Sequence, residues 1–118
     1  MNSQRTIAVE EDLRRCIHEC DDCHDACAAA VSHCLEMGGR HAVAAHVRLL
    51  LDCAEICRTA AGFMLRGSDL HHLTCGVCAQ VCERCAASCE TLRDDDTMRA
   101  CAEECRRCAA SCREMAAA

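Results

Sequence analysis

Proline, tryptophan and tyrosine are absent from the 118 residues, and Phe63 is the one aromatic side chain. A chain so lacking in aromatics and proline is a poor candidate for a β-sandwich or a small irregular secreted scaffold. No apolar run approaches the roughly 20 residues that a membrane-spanning helix needs. The longest, Val47–Leu51, is interrupted by Arg48. The N-terminal stretch MNSQRTIAVEEDLRRC has no apolar signal-peptide core, no small-residue cleavage site and no twin-arginine signal. It reads as the start of a cytosolic, unprocessed chain. Excess positive charge is missing too. The balance of 13 basic against 19 acidic residues gives −6, which argues against a nucleic-acid or anionic-membrane surface. Large apolar side chains are scarce: Leu, Ile, Val, Met and Phe together supply 24 residues, a thin core for this length.

What the chain has instead is sulfur and alanine. Sixteen residues are cysteine and 21 are alanine, a cysteine content far above that of ordinary globular chains. Cysteine must therefore form part of the core, a metal site, or both. In the cytosol thiols stay reduced, so a disulfide framework is disfavoured. An alanine-, arginine- and glutamate-rich composition favours helix.

Three breaks divide the sequence: Gly38-Gly39, Gly67-Ser68-Asp69 and Arg93–Asp96. They predict one domain of four helices, at about 7–37, 41–66, 70–92 and 96–116. Gly38-Gly39 offers a C-cap, Ser68 or Asp69 an N-cap, and Asp94–Asp96 acids at a helix N-terminus. The short connections predict an all-α, antiparallel up-down-up-down four-helix bundle. The charge runs Glu10–Arg15, Asp94–Asp96 and Glu103–Arg107 read as solvated faces and caps.

Every cysteine falls on a helical stripe. Helix 1 carries Cys16, Cys20, Cys23, Cys27 and Cys34; helix 2 carries Cys53 and Cys57. Helix 3 carries Cys75, Cys78, Cys82, Cys85 and Cys89; helix 4 carries Cys101, Cys105, Cys108 and Cys112. Steps alternate between three and four, apart from one step of seven, so each helix turns its sulfurs to one side. Four such seams give a cysteine-lined core. Reflection through the loops places Cys20, Cys57, Cys78 and Cys112 at one level. Cys23, Cys53, Cys82 and Cys108 make the next, then Cys27, Leu50, Cys85 and Cys105. Val31, His46, Cys89 and Cys101 lie toward the Gly38 end. Cys16, Ala61, Cys75 and Met115 lie toward the other.

Seven cysteine pairs lie four residues apart. Their Cβ atoms are about 5–6 Å apart on a helix, too far for a disulfide, which needs about 3.5–4.5 Å. Two metal–sulfur bonds of about 2.3 Å span about 4.6 Å when nearly linear. Such a pair suits a soft monovalent d¹⁰ ion, and soft thiolates select Cu(I). Zinc would need four ligands drawn from two helices per site. With two thiolates per ion, sixteen thiolates hold about eight Cu(I); bridging thiolates raise the number.

The repeated C-x₃-C-x₂-C-x₃-C at Cys16–Cys27, Cys78–Cys89 and Cys101–Cys112, with DCAEIC at Asp52–Cys57, resembles the bacterial four-helix-bundle copper storage proteins. The chain is most similar to their cytosolic branch. The resemblance implies a tube-like bundle holding many Cu(I) ions on cysteine pairs and bridging thiolates, and a homotetramer. It also implies one mouth lined with His and Cys as the copper entrance. The Gly38 end, with His41, His46, Cys34 and Cys101, is the expected one.

Extending the seams adds copper-capable ligands at both ends: Met37, His46, Met98 and His41 at the Gly38 end, and Met64, His71 and Met115 at the other. His18, His24, His33 and His72 fall off the seams and read as surface residues. Val43, Val47, Leu49 and Leu51 give helix 2 a second apolar face, suited to subunit contacts. The expected function is storage and detoxification of Cu(I), with no enzymatic activity and no nucleic-acid or membrane partner. A zinc or general thiolate metal buffer and a thiol redox protein are the alternatives. An iron–sulfur carrier is disfavoured because C-x₂-C-x₂-C-x₃-C-P does not occur.

Overall fold

The computed structural model describes residues 3–118, with side chains from Glu10 onward. Met1 and Asn2, the start of the segment read for a signal sequence, lie outside the described residues. Four helices follow in order: α1 Ser3–Met37, α2 Ala44–Leu65, α3 His71–Glu90 and α4 Asp96–Ala117. A 3-10 turn, Gly39–Ala42, joins α1 to α2. There is no strand among the described residues. α1 packs on α2, α2 on α3, α3 on α4 and α4 back on α1, while the diagonal pairs stand apart. This is the expected antiparallel four-helix bundle, 56 × 22 × 18 Å over its Cα atoms.

The loops explain the helix limits. The Gly38 N–H donates to the Cys34 carbonyl at 3.1 Å, and Gly38 and Gly39 adopt φ of +69° and +56°. Two successive left-handed residues end α1, where glycine carries no Cβ penalty. The chain then tightens into the 3-10 turn, so α2 starts at Ala44 and not near residue 41. At the second loop neither Ser68 nor Asp69 caps α3. Leu70 is the N-cap without a side-chain bond. Ser68 Oγ instead accepts the Leu70 N–H at 3.1 Å, which braces the turn before the helix. At the third loop Asp95 caps α4, its Oδ1 accepting the Met98 N–H at 3.1 Å, and Asp96 follows in the first turn.

The core is built from cysteine, with alanine beside it. Every cysteine is buried, and Cys101, at 2% exposure, is the least enclosed. Ala54, Ala79, Ala86, Ala102 and Ala109 each follow a cysteine directly and are buried on the seams between helices. Alanine there lets the helices approach closely enough for short cysteine side chains to meet at the axis. The seven-residue gap in α1 is filled by Ala30, fully buried. Val31, expected at that level, is half-buried beside the core. Few large apolar groups reinforce the interior: Leu50, Leu92, Met64, Met98 and Met115.

Leu50 is the largest fully enclosed side chain. Leu50→Ala should therefore lower the unfolding free energy by about 2–5 kcal/mol, read from urea unfolding of the reduced chain by circular dichroism.

Candidate metal centre

All sixteen cysteines are free and buried, and most of their sulfurs form a column along the bundle. Sulfur–sulfur separations of 3.5–4.0 Å run without interruption from Cys16 through Cys112, Cys20, Cys108, Cys57, Cys82, Cys53 and Cys105 to Cys27. Cys27 in turn meets Cys85 at 4.0 Å and Cys101 at 3.8 Å. The column crosses both diagonals of the bundle: Cys27 to Cys85 joins α1 to α3, and Cys57 to Cys108 joins α2 to α4.

Two details differ from the spacing argument. Most close sulfur pairs bridge different helices; Cys78–Cys82 at 3.8 Å and Cys108–Cys112 at 4.0 Å are pairs within one helix. The levels are also staggered. Cys105 meets Cys23 at 3.8 Å, and Cys108 meets Cys20 at 3.7 Å. The sulfurs of α4 thus fall between the levels set by the other helices. The resulting four-sulfur groups are Cys20–Cys78–Cys108–Cys112, Cys57–Cys78–Cys82–Cys108, Cys23–Cys53–Cys57–Cys82 and Cys23–Cys27–Cys53–Cys105, each within 4.8 Å. Neighbouring groups share members. Opening a 3.5–4.0 Å pair by roughly 1 Å reaches the span of a linear S–metal–S unit.

At the Gly38 end Cys34 lies 3.4 Å from His46 Nε2 and 3.7 Å from Met98 Sδ. Ser88 Oγ holds the other ring nitrogen of His46 at 2.7 Å, so Nε2 faces the sulfur. Ser88 is a positioning residue that the cysteine periodicity did not reveal. Met98 is fully buried. Met37, in contrast, is 55% exposed at the end of α1 and stands outside the column. His41 is bonded to a carboxylate. Its Nε2 donates to Asp95 Oδ2 at 3.0 Å, and His33 Nε2 donates to the same oxygen at 2.7 Å. His33 is thus part of a rim cluster, where sequence phase suggested only surface.

At the opposite end Cys16, Cys75 and Cys112 form a three-sulfur group, with Met64 and Met115 buried nearby in the same core. His71 is half-buried, and its Nδ1 donates to the Ser68 carbonyl at 2.9 Å. The charge run Glu103–Arg107 is not wholly solvated. Burial and the neighbouring Glu19 push the Glu104 carboxyl up to about 7.

Burial opposes charge on every thiol of the column. Hydrogen bonds distribute the protons among them: bonding with Cys108 pushes Cys57 up, while bonding with Cys105 pulls Cys53 down. Burial, with the charges of Asp95 and Cys101, pushes Cys34 up to about 11. Burial pulls His46 below its usual value, so its ring is neutral at pH 7, the form that ligates metal.

These features define a class: a helical bundle whose interior is a continuous thiol column with thioether and imidazole groups at its ends, built to sequester soft metal ions. The chain belongs to the copper storage protein family (Csp), which it matches over residues 9–117. It is 48% identical to the Nmul_A1745 protein of Nitrosospira multiformis, with a TM-score of 0.85, covering 92% of this chain and 97% of that one. It is 37% identical to the Cu(I)-bound copper storage protein BsCsp3 of Bacillus, TM-score 0.83, over 89% and 98% of the two chains. A cytosolic copper storage protein from Streptomyces lividans, described with five coppers, is 31% identical, TM-score 0.85, over 92% and 94%.

The hydrogen bond from His33, aided by those from the Met98 N–H and His41, holds Asp95 at about 2, below its usual 3.8. Its ionised form therefore stabilises the fold above pH 3.8, and that contribution is lost as pH falls toward 2. Asp95→Asn keeps a capping side chain but not the charge. Its stability should change less than that of the parent chain across this window, measured by urea unfolding at successive pH values.

Proposed function

We infer that this protein stores Cu(I) within the bundle as thiolate complexes and so keeps it from reacting elsewhere. The single observation that carries this reading is the unbroken column of sulfurs at 3.5–4.0 Å. A disulfide would need sulfurs about 2.05 Å apart, and isolated tetrahedral zinc sites would not share their ligands. The assigned ligands are the sixteen cysteines, with His46 and Met98 closing the column at the Gly38 end and Met64 and Met115 at the other. His71 beside the second mouth is a candidate for capture from outside. The Gly38 end, with His41, His46, Cys34 and Cys101, is the proposed entrance.

Charge balance favours high loading. If each of the sixteen thiolates is ionised and eight Cu(I) are held, about eight negative charges remain buried, which is prohibitive in a dry core. One Cu(I) per thiolate exchanges one proton for one monovalent ion and leaves the interior neutral. Bridging thiolates, which the shared sulfur groups allow, make that ratio reachable.

The role is capture and release, with no catalytic step. A cytosolic location is supported by the description of the Streptomyces relative. No described helix is long and apolar enough to cross a membrane. A homotetramer is the assigned assembly. Val43, just before α2, and Leu51 on it, each 52% exposed, supply apolar surface for contacts between copies.

Anaerobic titration of the reduced chain with Cu(I), against a chromophoric competitor, should show more than eight ions held tightly per chain, rising toward about one per thiolate. Weakly buffered samples should release about one proton for each cysteine that becomes a ligand. Saturation at one or two Cu(I), with stronger binding in a parallel Zn(II) titration, would overturn storage.

A further inference from the structure

We propose that His33, His41 and Asp95 form a second kind of metal site on the rim of the Gly38 end, selective for a borderline divalent cation such as Zn2+. The donors converge already: His33 Nε2 and His41 Nε2 lie 2.7 and 3.0 Å from one carboxylate oxygen, Asp95 Oδ2. The two rings are edge to face, with centroids 5.9 Å apart. Zinc ligands at about 2.0–2.2 Å in a tetrahedron stand roughly 3.4 Å from one another. The two imidazole–carboxylate pairs therefore need to open by about 0.7 and about 0.4 Å. The carboxylate is fixed from behind, because its other oxygen accepts the Met98 N–H, which is the outer-shell restraint that a metal-ligating group commonly has.

The donor set separates this site from the column. Two imidazoles and a carboxylate suit zinc-like ions, whereas thiolate and thioether suit Cu(I). The contacts separate it too: Cys34 is engaged with His46 and Met98, not with the rim. His41 and Asp95 are sheltered, their side chains 14% and 11% exposed, while His33 is 29% exposed. That leaves one side open for a water ligand and for access. The ligands come from α1, the 3-10 turn and the start of α4. A bound ion therefore ties together three of the elements at this end.

The test uses the full chain, loaded anaerobically with Cu(I) so that the thiols are occupied, and Co2+ as the probe. The expected result is one Co2+ per chain with weak ligand-field bands of nitrogen and oxygen donors, displaced by Zn2+. His33→Ala and, separately, Asp95→Asn should weaken that binding tenfold or more, with Cu(I) capacity unchanged in His33→Ala. Intense thiolate-to-cobalt charge transfer, no uptake, or uptake unaltered in His33→Ala would overturn the proposal. A second readout needs no copper. Zn2+ added beyond the equivalents that the thiols take up should move the imidazole nitrogen resonances of His33 and His41 in the parent chain, but not that of His41 in His33→Ala, and leave those of His18 and His72 in place; unmoved rim resonances also overturn it. Failure of copper storage and failure of the rim site are thereby distinguished.

Discussion

A thiol in a dry interior is stable as long as it is neutral, and it becomes a strong metal ligand only when it is not. That opposition governs this bundle. Free of metal, the sulfurs behave as small hydrophobes and supply the packing that the scarce leucines and methionines cannot. Ionised without a cation, the same column would be driven apart by repulsion and desolvation. Metal uptake therefore has to exchange protons for ions stepwise. Alanine beside the cysteines is the structural counterpart: it brings four helices close enough for sulfurs to meet across both diagonals.

Much of this was legible in the sequence because three- and four-residue spacing is a property of the helix itself. The stripes of cysteine, the four helices and the thiol-lined interior follow from it. The level of each sulfur did not follow, because reflection through the loops assumes that every loop returns the chain at the same height. The Gly38-Gly39 pair inserts a 3-10 turn, and α4 sits so that Cys105 and Cys108 lie between expected levels. Met37 keeps the seam's phase but stands past the end of the packed core. His33 and Asp95 were illegible as partners, one off the seam and one in a loop. Only the left-handed glycines bring His41 round to join them.

The walls and ends of the bundle are not equivalent. α2 contributes two cysteines where each other helix contributes four or five, and it fills its inner face with Leu50, Ala54, Ala60 and Ala61. Its outer face carries Leu51, with Val43 just before its first turn. Exposed apolar surface is not confined to α2, because Leu73 and Val77 on α3 are 58% and 52% exposed. At the Gly38 end Cys34 meets His46 and Met98, with His33, His41 and Asp95 on the rim beside them, whereas Cys16, Cys75 and Cys112 group at the opposite end.

The stagger of α4 has a topological consequence. Had the cysteines lain in separate planes of four, each plane would be a discrete compartment, and loss of one member would disable it. Because the four-sulfur groups within 4.8 Å overlap, the sulfurs between Cys20 and Cys105 form a connected network with alternative routes. If Cys82 is deleted, Cys57 still reaches Cys53; if Cys105 is deleted, Cys27 still reaches Cys23. Such redundancy makes the interior tolerant of single losses, so that capacity erodes by increments and the sequence is free to drift one cysteine at a time.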